Sequence, residues 1–181
     1  MKAQFWSFDV IFAVVIFSIA ITILAFTWYN INNQLALAYG DSATIMQLQA
    51  ESLADTLMSQ GNPPNWYSII NTTNVNTWND TSVGIGEGNG NGISSARLYA
   101  LMSMASNNYQ ATKQALGIGF DYYIRINSTE NSGANINIGI GSNPATGHAL
   151  TVYVEKRSSI LDGTPVQVTI DLWTNTSLGL E

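Results

Sequence analysis

The residue types that could support catalysis are few and widely spaced in this chain of 181 residues. The single histidine, His148, lies in the segment NPATGHAL between predicted strands, and the absence of cysteine excludes thiol chemistry. Glu51 and Asp55 share a predicted helix. Glu155 and Asp171 lie on separate predicted strands, so no carboxylate pair for acid–base catalysis is evident. We expect these side chains to be solvated, and the sequence predicts no enzymatic activity, no cofactor and no metal site.

The glycine-rich segment GIGEGNGNG, residues 84–92, is a candidate phosphate-binding loop. A phosphate loop needs a following Lys-Ser/Thr pair to reach the phosphates and magnesium, and a preceding strand to aim a helix terminus at them. Neither is present in the sequence, and the repeated aspartates of calcium-binding glycine repeats are also missing. The segment therefore predicts a flexible connector.

Asparagine supplies the most specific chemical signal on the predicted surface. Four asparagines lie in Asn-x-Ser/Thr sequons, the acceptor sequence for N-glycosylation: Asn71, Asn79, Asn127 and Asn175. All four follow the long apolar segment described next. They predict an exported glycoprotein.

The element that must position all of these residues is a long apolar run from Val10 to Trp28, VIFAVVIFSIAITILAFTW. A helix of this length spans roughly 30 Å at about 1.5 Å per residue, which is the thickness of a bilayer core. No charged side chain lies between Asp9 and Asp41. The run is apolar on every face, so it predicts a membrane helix; a buried helix of a soluble domain is the alternative.

Charges beside this run indicate its orientation. Lys2 is the only basic residue before Arg97, which places the N-terminus in the cytoplasm and the residues after Trp28 outside. Asp9 lies at the edge of the apolar run, where an unpaired carboxylate is costly. Either it reaches the interface or it has a specific partner.

Lys2-Ala3-Gln4, followed by an acidic residue and a long hydrophobic helix, resembles the leader and N-terminus of archaeal type IV pilin-like proteins. The resemblance implies a class III signal peptide that a prepilin peptidase cuts between Ala3 and Gln4. It also implies that Asp9 meets the N-terminal amine of a neighbouring subunit during assembly. Some family members carry Gln, Ser and Glu at mature positions one, three and five. Here Ser7 is fourth and Asp9 is sixth after the cut.

A secretory signal is a competing interpretation of the same region. Ala36-Leu37-Ala38 fits the small-residue pattern of a signal-peptidase site, and cleavage there would release a soluble protein that begins at Tyr39. The apolar run is longer than the 7 to 15 residues typical of a signal sequence. The helical pattern also continues through the proposed cut.

The residues after the apolar run predict an amphipathic continuation over residues 31–60. Apolar residues recur there at helical spacing, and Gly61 followed by Pro63 and Pro64 predicts that the helix ends near Ser59. Gly40 is a predicted bend or break. Residues 61–92 then predict a surface loop that is held to the core by Trp66, Tyr67, Ile69 and Ile70.

Two short helices and a sheet are predicted for the remainder. Ser94 or Ser95 is the expected cap of the helix ARLYALMSMA, in which Leu98, Leu101, Met102 and Ala105 share a face and Met104 lies toward the flank. A second helix, YQATKQAL, ends at Gly117.

Alternating apolar residues then predict four strands, the last two joined by a tight turn at Asp162-Gly163. These strands start at Phe120, at NINIGI, at about Ala149 and near Val166. The predicted arrangement is an antiparallel meander with one face covered by the helices.

The predicted fold class is therefore α+β, with a long N-terminal hydrophobic helix that continues into an exported domain of short helices packed on an antiparallel sheet. The expected domains are a leader (1–3), a transmembrane or filament-core helix (4–30), its amphipathic continuation (31–60) and the exported domain (61–181). Six scattered basic residues against twelve acidic ones argue against a nucleic-acid partner.

The resemblance implies a structural subunit of a cell-surface filament, with other subunits, prepilin peptidase and the membrane as partners. A permanently anchored single-pass envelope protein with a partner-binding ectodomain is the alternative.

Overall fold

The computed structural model describes residues 3–88, 90, 92–129 and 133–176, and the side chains among them except those of residues 3–9 and 32–42. The fold is α+β, as predicted: an N-terminal apolar helix is followed by short helices and a five-stranded sheet. The described residues divide into two compact units, residues 3–42 and residues 43–176.

Helix α1 comprises Ala3–Met58 and ends one residue before the predicted stop. The helical conformation continues through Gly40, so the predicted break is not observed. Beyond Met58, the Ser59 hydroxyl donates to the Thr56 carbonyl at 2.7 Å, and Gly61 has a positive φ of 74°, which glycine adopts without strain. In the second unit, α1 buries one stripe of small and apolar residues: Met46, Ala50, Leu53, Ala54 and Leu57.

The segment after α1 is more firmly packed than the sequence predicts. It forms α2 (Trp66–Ile69) and a short 3-10 helix (Val75–Thr77). Trp66 is fully buried and its indole N–H donates to the Gly84 carbonyl at 3.0 Å. Ile70 is also buried, whereas Tyr67 and Ile69 are exposed, so only two of the four predicted anchors are buried in the core; Tyr67 lies edge-on against Trp66.

The prediction that residues 84–92 form a flexible connector is wrong for the first part of this segment, around Ile85 and Gly86. Ile85 N donates to the Leu57 carbonyl at 2.7 Å, and Gly86 N donates to the Ser59 carbonyl at 2.7 Å. A Cβ at Gly86 would overlap the Met58 carbonyl. The glycines at this point allow the chain to approach the end of α1 closely, so they serve packing rather than flexibility.

Helices α3 (Ser95–Asn107) and α4 (Tyr109–Ala115) lie close to the predicted positions. Ser94 is the N-cap residue of α3 but makes no side-chain capping bond, while Asn108 caps α4 through its side chain. Met104 is buried and Met102 is only partly buried, which reverses the prediction for these two residues.

The sheet consists of β1 (Gly92–Ile93), β2 (Asp121–Ser128), β3 (Asn137–Gly141), β4 (Thr151–Leu161) and β5 (Thr164–Thr174). Its strand order is β1-β4-β5-β2-β3, with β1 parallel to β4 and all other pairs antiparallel. The predicted meander is therefore wrong, because β5 pairs with β2 and leaves β3 at an edge. The predicted tight turn is present, with φ of 49° at Asp162 and 79° at Gly163.

The core lies between one face of the sheet and the helices of residues 43–176. Alternate residues of β2 and β5 supply the sheet side, and these are Tyr122, Ile124, Ile126, Val166, Val168, Ile170 and Leu172. Leu98, Leu101 and Met104 supply the α3 side. One apolar cluster thus joins the second half of α1, the loop, α3, α4 and the sheet.

Candidate assembly and modification sites

The most conspicuous surface of the chain is the apolar part of α1. Residues Val10–Ile31 form a stretch of 22 residues with a mean hydropathy of 2.8, and none of the residues in its most apolar window is buried in the protein. Large side chains on every side of the helix are exposed. One N-terminal helix is therefore long and apolar enough, by length and composition, to span a membrane.

The serine and threonine side chains within this stretch form hydrogen bonds to the helix backbone itself. The hydroxyls of Ser18, Thr22 and Thr27 donate to the carbonyls four residues earlier, at 2.7, 2.7 and 2.8 Å respectively. Such bonds remove the cost of placing a hydroxyl in an apolar environment. The stretch ends with the exposed rings of Trp28 and Tyr29, residue types that are enriched at membrane interfaces.

The residues of the predicted leader cut are described only in part. Lys2 lies outside the described residues, Ala3 is the first residue of α1, and Gln4 and Asp9 lie within its first turns. The side chains of Ala3, Gln4 and Asp9 are outside the described set. Processing at Gln4 and a role of Asp9 in assembly stay predictions.

Two of the four sequons lie in the loop that follows α2. Asn71 is exposed, and its Oδ1 accepts hydrogen bonds from Thr73 N at 3.0 Å and Thr73 Oγ1 at 2.7 Å. Its side-chain nitrogen, the atom that carries an N-glycan, makes no bond to other described residues. Asn79 is exposed and precedes Asp80, which has a φ of 63°. Both asparagines are accessible.

The other two sequons lie in and after the sheet. Asn127 is half-buried in β2, between Asn137 on β3 and Gln167 on β5. Asn175 is exposed just after β5, although the third residue of its sequon lies outside the described residues. The four positions thus differ in access, and glycosylation at each stays a prediction.

The carboxylates include one clear exception to the predicted solvation. Asp171 is buried, and its Oδ2 lies 3.0 Å from Arg125 Nη2 on the neighbouring strand. The prediction that it is solvated is wrong, because pairing with Arg125 makes its burial tolerable. Glu155 is also partly buried and pairs with Arg157, which bonds Asp55 at 3.1 Å as well. His148 lies exposed in its loop, as predicted.

A tyrosine cluster links α4 to the start of β2. The rings of Tyr109 and Tyr122 stack at a centroid distance of 5.0 Å, and the Tyr109 hydroxyl donates to Asp121 Oδ1 at 2.9 Å. Lys113 Nζ lies 3.2 Å from the same oxygen. Burial raises the pKa of Tyr109 well above its usual value, and burial followed by the proximity of Tyr109 raises the pKa of Tyr122. Both phenols are therefore neutral at physiological pH.

One cavity was not predicted from the sequence. It has a volume of about 810 Å³ and opens between the C-terminal half of α3 and the edge strand β3. Its lining residues come from α3, α4, β2, β3 and the following loop, and no local motif brings these segments together. Among the described residues, no three His, Asp or Glu side chains are arranged to hold a metal ion.

Comparison with protein-family models, with curated proteins and with solved structures finds no match. The functional assignment therefore depends on the residues and geometry of this chain, above all on its exposed apolar helix.

Proposed function

We propose that the protein is a structural subunit of an archaeal type IV pilus-like filament on the cell surface, assembled through its N-terminal hydrophobic helix. The observation that supports this proposal is the uncovered apolar surface of residues Val10–Ile31. So large an apolar surface needs a covering partner, either lipid or other copies of the same helix.

Assembly uses the fact that this helix is apolar on all sides. Lipid and a bundle of like helices are both apolar environments. Transfer of the helix from one to the other therefore costs little free energy. The intrahelical bonds of Ser18, Thr22 and Thr27 persist in both environments. In this proposal prepilin peptidase removes residues 1–3, the helices form the filament core, and the glycosylated α+β domain forms the exterior.

The alternative is a permanently anchored envelope protein whose ectodomain binds a partner. Trp28 and Tyr29 at the end of the apolar stretch favour it, because aromatic residues stabilise a helix at the membrane interface. The same helix serves both functions, so the two proposals differ in where the mature protein is found.

Fractionation of native cells distinguishes the two. Surface filaments are sheared from cells, and the protein is quantified in filament and membrane fractions with an antibody against the α+β domain and by immunogold microscopy. The filament proposal expects the protein along filaments and a mature N-terminus at Gln4 by mass spectrometry. Retention wholly in the membrane while the cells make filaments would overturn it.

The N-terminus itself separates the remaining possibilities. An intact Met1 or Lys2 on assembled protein would contradict processing by prepilin peptidase. A chain that begins at Tyr39 would instead support secretory cleavage.

A further inference from the structure

We propose that the cavity between α3 and β3 binds an uncharged saccharide. This inference is independent of the filament proposal, because it concerns only residues of the second unit. The cavity volume of about 810 Å³ lies within the range of small-ligand sites. A short oligosaccharide is of suitable size.

The lining has the mixed character that saccharides require. Tyr109 and Tyr123 supply aromatic rings, and Met102 supplies an apolar side chain. Ring faces and methyl groups pack against the C–H faces of sugars. One face of Tyr109 is already stacked on Tyr122, so what it presents to the cavity is its other face or its edge.

Hydrogen-bonding groups lie on several sides of the cavity. Ser106, Tyr123 and Ser142 line it, and their hydroxyls make no hydrogen bond to other described residues. Asn143 at one end uses its Oδ1 to accept from Ala145 N at 2.9 Å, so its side-chain N–H groups are not committed by that bond. Discrete donors and acceptors of this kind match the hydroxyl groups of a sugar.

The edge strand adds backbone groups in fixed positions. Ser142 N donates to the Tyr122 carbonyl at 2.9 Å, so the even-numbered residues of this part of β3, including Ile138 and Ile140, bond β2. The N–H and C=O of Gly139 consequently lie on the free edge, which borders the cavity. A Cβ at Gly139 would overlap the Tyr123 hydroxyl, so glycine at this position allows that hydroxyl to lie over the strand edge.

Charge decides the class of saccharide. Among the described residues, no Asp, Glu, Lys, Arg or His lines the cavity. An acidic sugar or a phosphate would find no counter-charge there, and desolvation of its charge would not be repaid. The site therefore favours an uncharged ligand.

A saccharide is favoured over an extended peptide that adds to the β3 edge. Such a peptide needs a ladder of backbone bonds along several residues. β3 has only five residues, and Gly141 at its end has a φ of 100°, which interrupts the regular edge. Gly139 is left as the central free position, which suits one or two hydroxyl contacts better than a strand.

Binding is tested with the full-length chain in detergent against an array of uncharged oligosaccharides, acidic oligosaccharides and extended peptides. We expect binding of uncharged oligosaccharides and a shift of the Met102 methyl resonance on their addition. Tyr123→Phe removes one hydroxyl contact and should weaken binding about 3- to 10-fold. Gly139→Ala displaces the Tyr123 hydroxyl and should weaken binding to a similar extent.

Tyr67→Phe, which lies on α2 and outside the cavity, is the matched control and should leave the affinity unchanged. Circular dichroism establishes that each variant is folded. Glycopeptides that contain the sequons of this chain are tested separately. This arm distinguishes two sources of the saccharide ligand: a glycan on another subunit and a free saccharide of the cell envelope. The proposal is overturned if no uncharged saccharide binds at millimolar concentration, if acidic saccharides or peptides alone bind, or if neither Tyr123→Phe nor Gly139→Ala changes the affinity.

Discussion

Arg125 on β2 and Asp171 on β5 form an ion pair across neighbouring strands, with Arg125 Nη2 3.0 Å from Oδ2 and 3.1 Å from Oδ1 of Asp171. The Asp171 side chain is 4% exposed, whereas that of Arg125 is 41% exposed. Arg125→Ala would leave a buried carboxylate without its partner. We expect the free energy of unfolding to fall by about 1–3 kcal/mol, measured by urea denaturation in detergent.

The matched control for this pair is Asp55→Asn. Asp55 bonds Arg157 at 3.1 Å, but its side chain is 76% exposed, and Arg157 keeps its partner Glu155 in this variant. Exposed pairs contribute little, so the loss should stay below about 1 kcal/mol. Equal losses in the two variants would show that burial of Asp171 does not determine the contribution of its ion pair.

The glycines that meet the end of α1 give a second prediction. A Cβ at Gly86 would overlap the Met58 carbonyl, and the chain there is held by the bond from Gly86 N to the Ser59 carbonyl at 2.7 Å. Gly86→Ala should therefore lower the free energy of unfolding by about 1–3 kcal/mol. Gly119→Ala is the control, because its nearest neighbours lie 3.8 Å away, and it should change stability by less than about 0.5 kcal/mol.

How far the sequence predicts this fold depends on how local the determining interactions are. The alternation of Tyr122, Ile124 and Ile126 is a local pattern, and it correctly predicts β2 and its buried face. The Asp162-Gly163 turn is likewise encoded by two adjacent residues. Strand order is not local. Pairing of β5 with β2 rather than only with β4 depends on how whole hairpins pack, and no residue pattern in either strand specifies it.

The features that bear on function also divide into those that a local sequence pattern predicts and those that it does not predict. The membrane-spanning potential of α1 is a property of consecutive residues and is read directly from them. The burial of Asp171 and the cavity beside β3 arise only when strands distant in sequence meet, as Arg125 does with Asp171. The prediction of a flexible connector around Gly86 is wrong for a related reason. Composition alone does not distinguish a mobile glycine from one that allows close packing.

The tyrosine cluster predicts a decrease in stability at alkaline pH. The pKa values of Tyr109 and Tyr122 are raised above the value of 10.0 that an unperturbed tyrosine has, chiefly by burial. The unfolded chain therefore loses these protons at lower pH than the folded chain, so deprotonation favours unfolding. The stability that the two protonated tyrosines contribute is fully present below about pH 10 and is lost as the pH rises further.

Circular dichroism melts at pH 8 and pH 11 test this relationship. The double variant Tyr109→Phe, Tyr122→Phe should show a smaller decrease in melting temperature between the two pH values than the wild type. Tyr99→Phe, at an exposed position on α3, is the matched control. An unchanged decrease in the double variant would contradict the assignment of the alkaline sensitivity to this cluster.

A separate prediction concerns the hydroxyl of Tyr122. It is buried and makes no hydrogen bond to other described residues, while Thr112 beside it donates its own hydroxyl to the Asn108 carbonyl at 2.8 Å. Removal of an unsatisfied buried hydroxyl costs little, so Tyr122→Phe alone should be neutral or stabilising at pH 7. Tyr109→Phe loses its bonds to Asp121 and to Tyr122 N, and should cost about 1–2 kcal/mol by the same measurement.

The exposure of each sequon asparagine predicts which sequons carry glycan in the native host. Asn71 and Asn79 are exposed in a loop, whereas Asn127 lies half-buried between two paired strands. Glycopeptide mapping should find higher occupancy at Asn71 and Asn79 than at Asn127, and Asn175 should be modified where its sequon is accessible. Unmodified asparagine at all four positions, at good peptide coverage, would remove this support for an exported glycoprotein.

Asp9 provides the sharpest test of the filament proposal. It lies next to the apolar stretch, where an unpaired carboxylate is costly, and in a filament the freed amine of Gln4 on an adjacent subunit would supply its partner. Asp9→Asn removes the charge, so membrane insertion should be unchanged or improved. Assembly should be impaired, because the amine loses its counter-charge in a low-dielectric core.

The variant is compared with Asp55→Asn, which removes an exposed carboxylate from the second half of α1. Both are quantified in membrane and sheared-filament fractions of the native host. We expect Asp9→Asn to accumulate in the membrane fraction with little protein in filaments, and Asp55→Asn to distribute like the wild type. Filaments formed by Asp9→Asn in wild-type amounts would show that assembly does not need this carboxylate, because the uncharged amide cannot neutralise an adjacent amine.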